Sequence, residues 1–335
     1  MRKGISIAGT IVIDKYNYIN EFPNEGNLTT IYKKSKNFGG CVPNTAINLS
    51  LINRNEFISV LGNIGDDEDG RDLIRLFENH HIDTSQITTS VNNLTSTVDC
   101  YINSTNDYRT FFADLKTNNE FGRKEIRCNT THFHIGYILL MPYLDEIVDE
   151  NDTRLSLLLK KMNKQGIKVS ADLVSKETND FKKIVIPSLK YIDYLIINEI
   201  EAQNITDIKV IDNEGNLDLN SLKTTAKKIK SLGVKELVVI HSPQLGLIYD
   251  GERFEVVFSL ELPENYIVSS VGAGDGFCAG ILYGILNNLS YNESLRLASC
   301  VAASVLASEN SFAVVNGVDN FFELEKKYPR KNKGK

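Results

Sequence analysis

The chain has 335 residues, 42% of them hydrophobic and 24% charged, with a formal net charge of −6. This balance excludes a disordered or fibrous protein and gives no electrostatic reason to bind nucleic acid, and no apolar run reaches the roughly 20 residues that spanning a bilayer requires. Cys41, Cys100, Cys128, Cys278 and Cys300 lie far apart with no C-x-x-C pair, which argues against both a disulfide framework and a zinc site. The start, MRKGISIAG, runs directly into a short apolar strand without the long apolar region of a secretory signal, so a cytoplasmic location is expected.

ISIAGTIVI (5–13) reads as a buried strand, and VPNTAINLSLIN (42–53) and DGRDLIRLFENHH (69–81) carry apolar residues at helical spacing. In 15–35 and 94–114, aromatic and β-branched residues alternate with polar ones, as in half-exposed strands that could pair as a small separate sheet. From residue 131, strands HFHIGYILL, IKVSADLV, YLIIN and ELVVI alternate with helical segments TRLSLLLKKMNK, FKKIVIPSLK and LNSLKTTAKKIKSL. Strands separated by helices need crossovers, hence a mainly parallel sheet covered on both faces. GLIYD and FEVVF then suggest an antiparallel pair, followed by helices near 275–287 and 291–307. With no repeat or linker, one domain spanning 1–335 with an inserted small sheet is the economical reading. The basic end, KKYPRKNKGK (326–335), reads as a solvated tail.

Chemistry concentrates in VSSVGAGDGFCAG (268–280). A glycine-rich turn entering a helix leaves backbone N–H groups unobstructed beside the positive end of the helix dipole, so Gly272, Ala273 and Gly274 fit an anion hole. Asp275, in the first turn, is placed either to accept a proton from an attacking hydroxyl or simply to cap the helix. The chain contains no G-x-x-x-x-G-K-[ST], and Phe277 breaks the G-x-G-x-x-G pattern. His132 and His134 alternate on one strand with no third ligand nearby and read as sheet-face or core residues.

VGAGD, in this C-terminal setting, resembles the second signature of the ribokinase-like (PfkB) carbohydrate kinase family. Further stretches resemble the family across nearly the whole chain: AGTIVID ending in Asp14, FGGCVPNTAINLSLIN with Gly39, Gly40 and Asn44 in register, LGNIGDDEDG (61–70), and LIINEIEA with Asn198 and Glu201 as N-x-x-E. The resemblance implies an α/β three-layer sandwich with a mainly parallel central sheet, a β lid formed by 15–35 and 94–114, and dimerisation through that lid. It implies transfer of the ATP γ-phosphoryl group to a substrate hydroxyl, with Asp275 as general base and the 272–275 amides as anion hole. Asp14, Gly39, Gly40 and Asn44 are then the substrate site, Asn198 and Glu201 the nucleotide side, and Glu201 holds Mg²⁺ through water.

The sequence also departs from the family. Ser269 and Ser270 replace the Asp-Thr before the glycine turn, which stands against a monovalent cation. His241-Ser242-Pro243-Gln244-Leu245-Gly246 retains only the last glycine of the family's T-x-G-x-x-G, so ATP contacts from His241, Ser242 and Gly246 are expected to differ. Cys41 replaces the lysine that ribokinases place after Gly-Gly, which weakens the case for a pentose such as ribose. Arg109 could touch substrate or stabilise a hairpin. A sugar is the expected acceptor, a nucleoside the alternative, and a catalytically silent sugar or nucleotide sensor the reading from another class. Phosphorylated sugars are disfavoured, because no cluster of Lys and Arg stands among the expected substrate residues.

Overall fold

The apolar runs sort into two sheets in the computed structural model, which describes residues 3–105, 109–176, 178–212 and 214–331. The stretch 5–13 is not one strand. Ile5–Gly9 (β1) stays in the large sheet, and Val12–Ile19 (β2) leaves it for the small one. At the crossing the backbone takes partners from three elements: Thr10 N–H donates to Gly136 O, Ile11 N–H to Asn118 Oδ1 and Ile13 N–H to Ser96 O.

The chain continues through Ile31–Gly39 (β3), Cys41–Ile52 (α1), Ile58–Gly65 (β4), Glu68–Asn79 (α2), Asp83–Ser90 (β5), Thr97–Asn103 (β6) and Arg109–Asp114 (β7). A regular alternation follows: His132–Ile138 (β8), Arg154–Lys164 (α3), Lys168–Leu173 (β9), Phe181–Leu189 (α4), Tyr194–Asn198 (β10), Glu199–Thr206 (α5), Leu219–Ser231 (α6) and Leu237–His241 (β11). It closes with Leu245–Tyr249 (β12), Phe254–Phe258 (β13), Ala273–Leu286 (α7), Tyr291–Leu306 (α8) and Val318–Lys327 (α9).

Among the described residues the large sheet has nine strands in the order β13-β12-β11-β10-β9-β8-β1-β4-β5. It is parallel except for the antiparallel β11–β12 and β12–β13 pairs, the second of which is the GLIYD and FEVVF pair. Its central strands are apolar on both faces because both are covered. Residues of α3 to α6 pack one core, and residues of α1, α2, α7, α8 and α9 pack the other. Within the second, α7 lies close against α8, since Gly280 and Gly284 face Ala298 and Ser294 where any side chain would collide.

The small sheet runs β3-β2-β6-β7. The basic end is not wholly a solvated tail. Arg330 donates to Phe258 O at 2.6 Å and Ser299 Oγ at 2.9 Å and pairs with Glu325, so the segment closes as a bridge with Leu260. A side chain with partners on three elements is held in place, whatever the charge of its neighbours. Residues 332–335 lie outside the described residues.

Candidate active site

The parallel strands end together at Thr10, Tyr137, Asp172, Asn198 and His241, and a cavity of about 680 Å³ opens there beneath the small sheet. Open α/β sheets place ligands at the carboxyl ends of their strands, where loops diverge and backbone groups are unpaired.

The glycine turn forms its floor. Gly272 takes a left-handed conformation (φ 80°) as N-cap of α7, close against Ser311, a position that a side chain could neither adopt nor fit. The first turn of a 14-residue helix thereby presents unpaired N–H groups to the cavity, which Gly272, Gly274 and Asp275 line. Ala273 stands behind them, its N–H directed at Ser270 O at 3.4 Å.

Asp275 is buried, and its side chain is not a helix cap. Asn44 Nδ2 donates to Oδ2 at 2.9 Å, and the Tyr137 hydroxyl lies 2.8 Å from both carboxylate oxygens. Burial pushes its carboxyl up to about 8, the negative charge of Asp172 adds to the rise, and the two donors oppose it. Asp14 projects from β2, where burial pushes its carboxyl up to about 7. Gly39 leaves the room that this carboxylate occupies, and Gly40 then caps α1 while Cys41 N–H donates to Thr10 Oγ1 at 3.1 Å. Asn44 Oδ1 is buried without a hydrogen-bond partner among the described residues.

On the opposite side, Asn198 and Glu201 form a reciprocal capping box on α5. Glu201 N–H donates to Asn198 Oδ1 at 2.8 Å, and Asn198 N–H to Glu201 Oε2 at 3.0 Å. Ser175 Oγ donates to Glu201 Oε1 at 3.1 Å, and burial pushes this carboxyl up to about 7. His241, packed against the Phe277 ring (centroids 5.0 Å apart) and beside Gly274, has its imidazole lowered to about 4 by burial, so it is neutral at pH 7. Ser242 and Gly246 are not in the cavity wall. Ser242 Oγ accepts from Gln244 and Leu245 N–H to close the β11–β12 turn, and Gly246 makes space for Phe277 and Leu295. Ser270 lines the cavity, while Ser269 Oγ accepts from Val271 N–H.

The lid register, open to a one-residue slip when read from sequence, is resolved by pairing. Asp14 lies beside Val98 and Val98 beside Ala113; Tyr16 lies beside Cys100 and Cys100 beside Phe111. These six residues face the cavity and, apart from Asp14, present an apolar wall with one phenol. Arg109 stands opposite Ile102 on the outer strand pair and does not line the cavity. Among the described residues no Lys or Arg does.

Sequence reasoning missed Tyr137 and Asp172. Both lie at the carboxyl ends of recognisable strands, β8 and β9, and a polar residue in that place is the signal that could have found them. His132 stacks on Tyr194 as a sheet-face residue, but His134 is fully buried beside Asp172, with Nε2 3.6 Å from Oδ2.

The sequence profile of the pfkB family carbohydrate kinases matches residues 3–314. The chain belongs to the pfkB family of carbohydrate kinases. A 5-dehydro-2-deoxygluconokinase from Clostridium beijerinckii is 27% identical over 306 residues, which cover 87% of this pfkB chain and 85% of that protein. The structure of Arabidopsis thaliana ribokinase complexed with ribose and ATP superposes with a TM-score of 0.77 at 19% identity, covering 97% of this chain and 99% of that one. That of a Methanocaldococcus jannaschii nucleoside kinase gives 0.75 at 16% identity, covering 98% and 99%. At these identities the likeness is one of fold, the ribokinase-like α/β sandwich. As a pfkB carbohydrate kinase, the protein is a phosphotransferase with an alcohol group as acceptor. No helix among the described residues is long and apolar enough to cross a membrane.

The resemblance to the ribokinase-like kinases implies Mg²⁺ with the nucleotide, and the residues present fit it in one way. Both Glu201 oxygens already accept hydrogen bonds, yet the carboxylate lines the cavity, and Mg²⁺ characteristically keeps its waters. Glu201 would therefore hold the ion through water, where it would neutralise charge on the transferring phosphates.

Proposed function

We propose that the protein transfers the γ-phosphoryl group of ATP to a hydroxyl of a small uncharged sugar. The observation that carries this reading is the placement of Asp275: a buried carboxylate at the first turn of α7, beside the glycine-turn amides and within one cavity with Asp14 and Asn44. The acceptor hydroxyl gives its proton to Asp275 as its oxygen attacks the γ-phosphorus. The bond to the β-phosphate oxygen breaks, and ADP leaves. Phosphoryl transfer demands mainly positioning and charge stabilisation, which the amides of Gly272, Gly274 and Asp275 supply to the phosphoryl oxygens. Asp14 accepts from sugar hydroxyls, and the unpartnered Asn44 Oδ1 accepts from another. The lack of basic residues in the described cavity wall supports an acceptor without a phosphate of its own.

A nucleoside is the second acceptor class. The apolar wall of Val98, Cys100, Phe111 and Ala113 supports it, because a planar base would bury apolar area there that a free sugar cannot. His241, neutral and beside Gly274, is placed to meet the nucleotide phosphates; His241→Ala should raise the KM for ATP, and an unchanged value would reject that role.

The test is ADP release from ATP and Mg²⁺ with free sugars, nucleosides and sugar phosphates, with Asp275→Asn beside the wild type. Release that depends on a neutral acceptor and is lost in the variant supports the reading. Release with sugar phosphates alone rejects the acceptor class, and a fully active variant rejects the base.

A further inference from the structure

We propose that Cys41, His134 and Asp172 form a binding site for a divalent transition-metal ion, zinc by its donor set, at the floor of the cavity. The Cys41 Sγ, a His134 ring nitrogen and an Asp172 carboxylate oxygen lie within 4.8 Å of one another, all on buried residues. Cys278 Sγ lies 3.7 Å from His134 Nε2, and Asp172 Oδ2 lies 3.6 Å from that same nitrogen. Bonds of about 2.0–2.3 Å in a tetrahedron place ligand atoms about 3.3–3.8 Å apart, so the Asp172–His134 separation is already that of a tetrahedral edge.

Three further observations point the same way. Asp172 Oδ1 is buried and finds no hydrogen-bond partner among the described residues, an expensive state for a carboxylate oxygen that a cation would relieve. Ser170 Oγ sits 3.0 Å from His134 Nδ1, where it can take the ring N–H and leave the Nε2 lone pair facing the cluster, the outer hydrogen bond that metal-bound imidazoles ordinarily make. Gly136 keeps the space open: a Cβ there would fall on Asp172 Oδ1 and 2.7 Å from Cys41 Sγ. A thiol, an imidazole and one carboxylate suit a borderline-soft ion and not Mg²⁺, and binding releases the thiol proton to solvent. The three ligands come from α1, β8 and β9, so the ion ties together elements that carry Asn44 and Tyr137. Their wide separation in sequence is why ligand spacing gave no zinc signal.

The experiment uses the full chain, stripped with a chelator and titrated with Zn²⁺ and with Co²⁺ in excess Mg²⁺. One ion per chain by elemental analysis, with a thiolate-to-cobalt charge-transfer band and the strong visible bands of tetrahedral cobalt, is the expected result. Cys41→Ser and His134→Gln should each remove the ion, and Ser170→Ala should weaken it about tenfold or more. Melting curves establish that each variant is folded, and Cys100→Ser, outside the cluster, should bind as the wild type does. The absence of stoichiometric binding by the wild type, or binding that survives Cys41→Ser in a folded protein, overturns the site. Should Cys41→Ser and His134→Gln not fold, undiminished binding by Ser170→Ala does the same.

Discussion

The Tyr137 hydroxyl lies 2.8 Å from both carboxylate oxygens of Asp275, although 138 residues separate the two along the chain. A donor to the charged form favours ionisation, against the burial that holds this carboxyl at about 8. A base must be ionised to act, so kcat/KM is expected to rise with pH up to about 8. Tyr137→Phe should move that rise to higher pH, and Asp275→Asn should lower kcat by roughly 10²–10⁴-fold. A pH profile of Tyr137→Phe superimposable on the wild type would remove the phenol from this role.

The same burial has a consequence for stability. Because the Asp275 carboxyl titrates higher folded (about 8) than unfolded (about 3.8), the folded state holds its proton more tightly. Its contribution to stability is full below the unfolded value and is lost as pH rises through the folded one. Asp275→Asn, which stays neutral, should therefore gain on the wild type between pH 5 and pH 9, by on the order of 4 kcal/mol. Urea unfolding at the two pH values measures this, and an unchanged difference would show that the buried charge costs nothing.

Phe111 and Phe112 are both more than half exposed, at 58% and 56%, but they point to opposite faces of the lid. Phe111→Ala should raise the KM for the acceptor several-fold, through the roughly 25 cal/mol lost per Å² of apolar contact. Phe112→Ala should leave that KM unchanged. Phe112 packs edge-on against Tyr101 on the outer face, which also exposes Phe22. We expect a second copy to cover this face. Sedimentation at micromolar concentration should show a dimer that Phe112→Lys dissociates, and a wild-type monomer would defeat the idea.

Asp67 joins the two sheets. Its Oδ1 accepts from Gly70 N–H, capping α2, and Oδ2 accepts from Thr95 N–H at the entry to β6. Asp67→Ala should cost about 1–2 kcal/mol, the ordinary loss for a side-chain cap, together with the tie to Thr95. Thermal unfolding measures it, and a loss of only a few tenths would mean that Thr95 is held without Asp67.

The doubly covered sheet was legible in the apolar strand runs, and α7 in the spacing of Phe277, Ile281 and Ile285, because burial on both faces leaves its mark on every residue of a strand or helix. The glycine turn was legible for a related reason: a left-handed residue packed against Ser311 tolerates little but glycine. By contrast, the division of 5–13 between two sheets left no such mark, since both halves are equally apolar and only the partners of Thr10, Ile11 and Ile13 separate them. The anchoring of Arg330 was hidden in the same way, because a charge run does not name its partners. The contacts of Tyr137 and Asp172 and the inward row of lid residues were also decided by tertiary structure alone. Their function lies in contacts across long sequence separations and in a strand register of period two, and both are properties of how segments meet, not of any one segment read by itself.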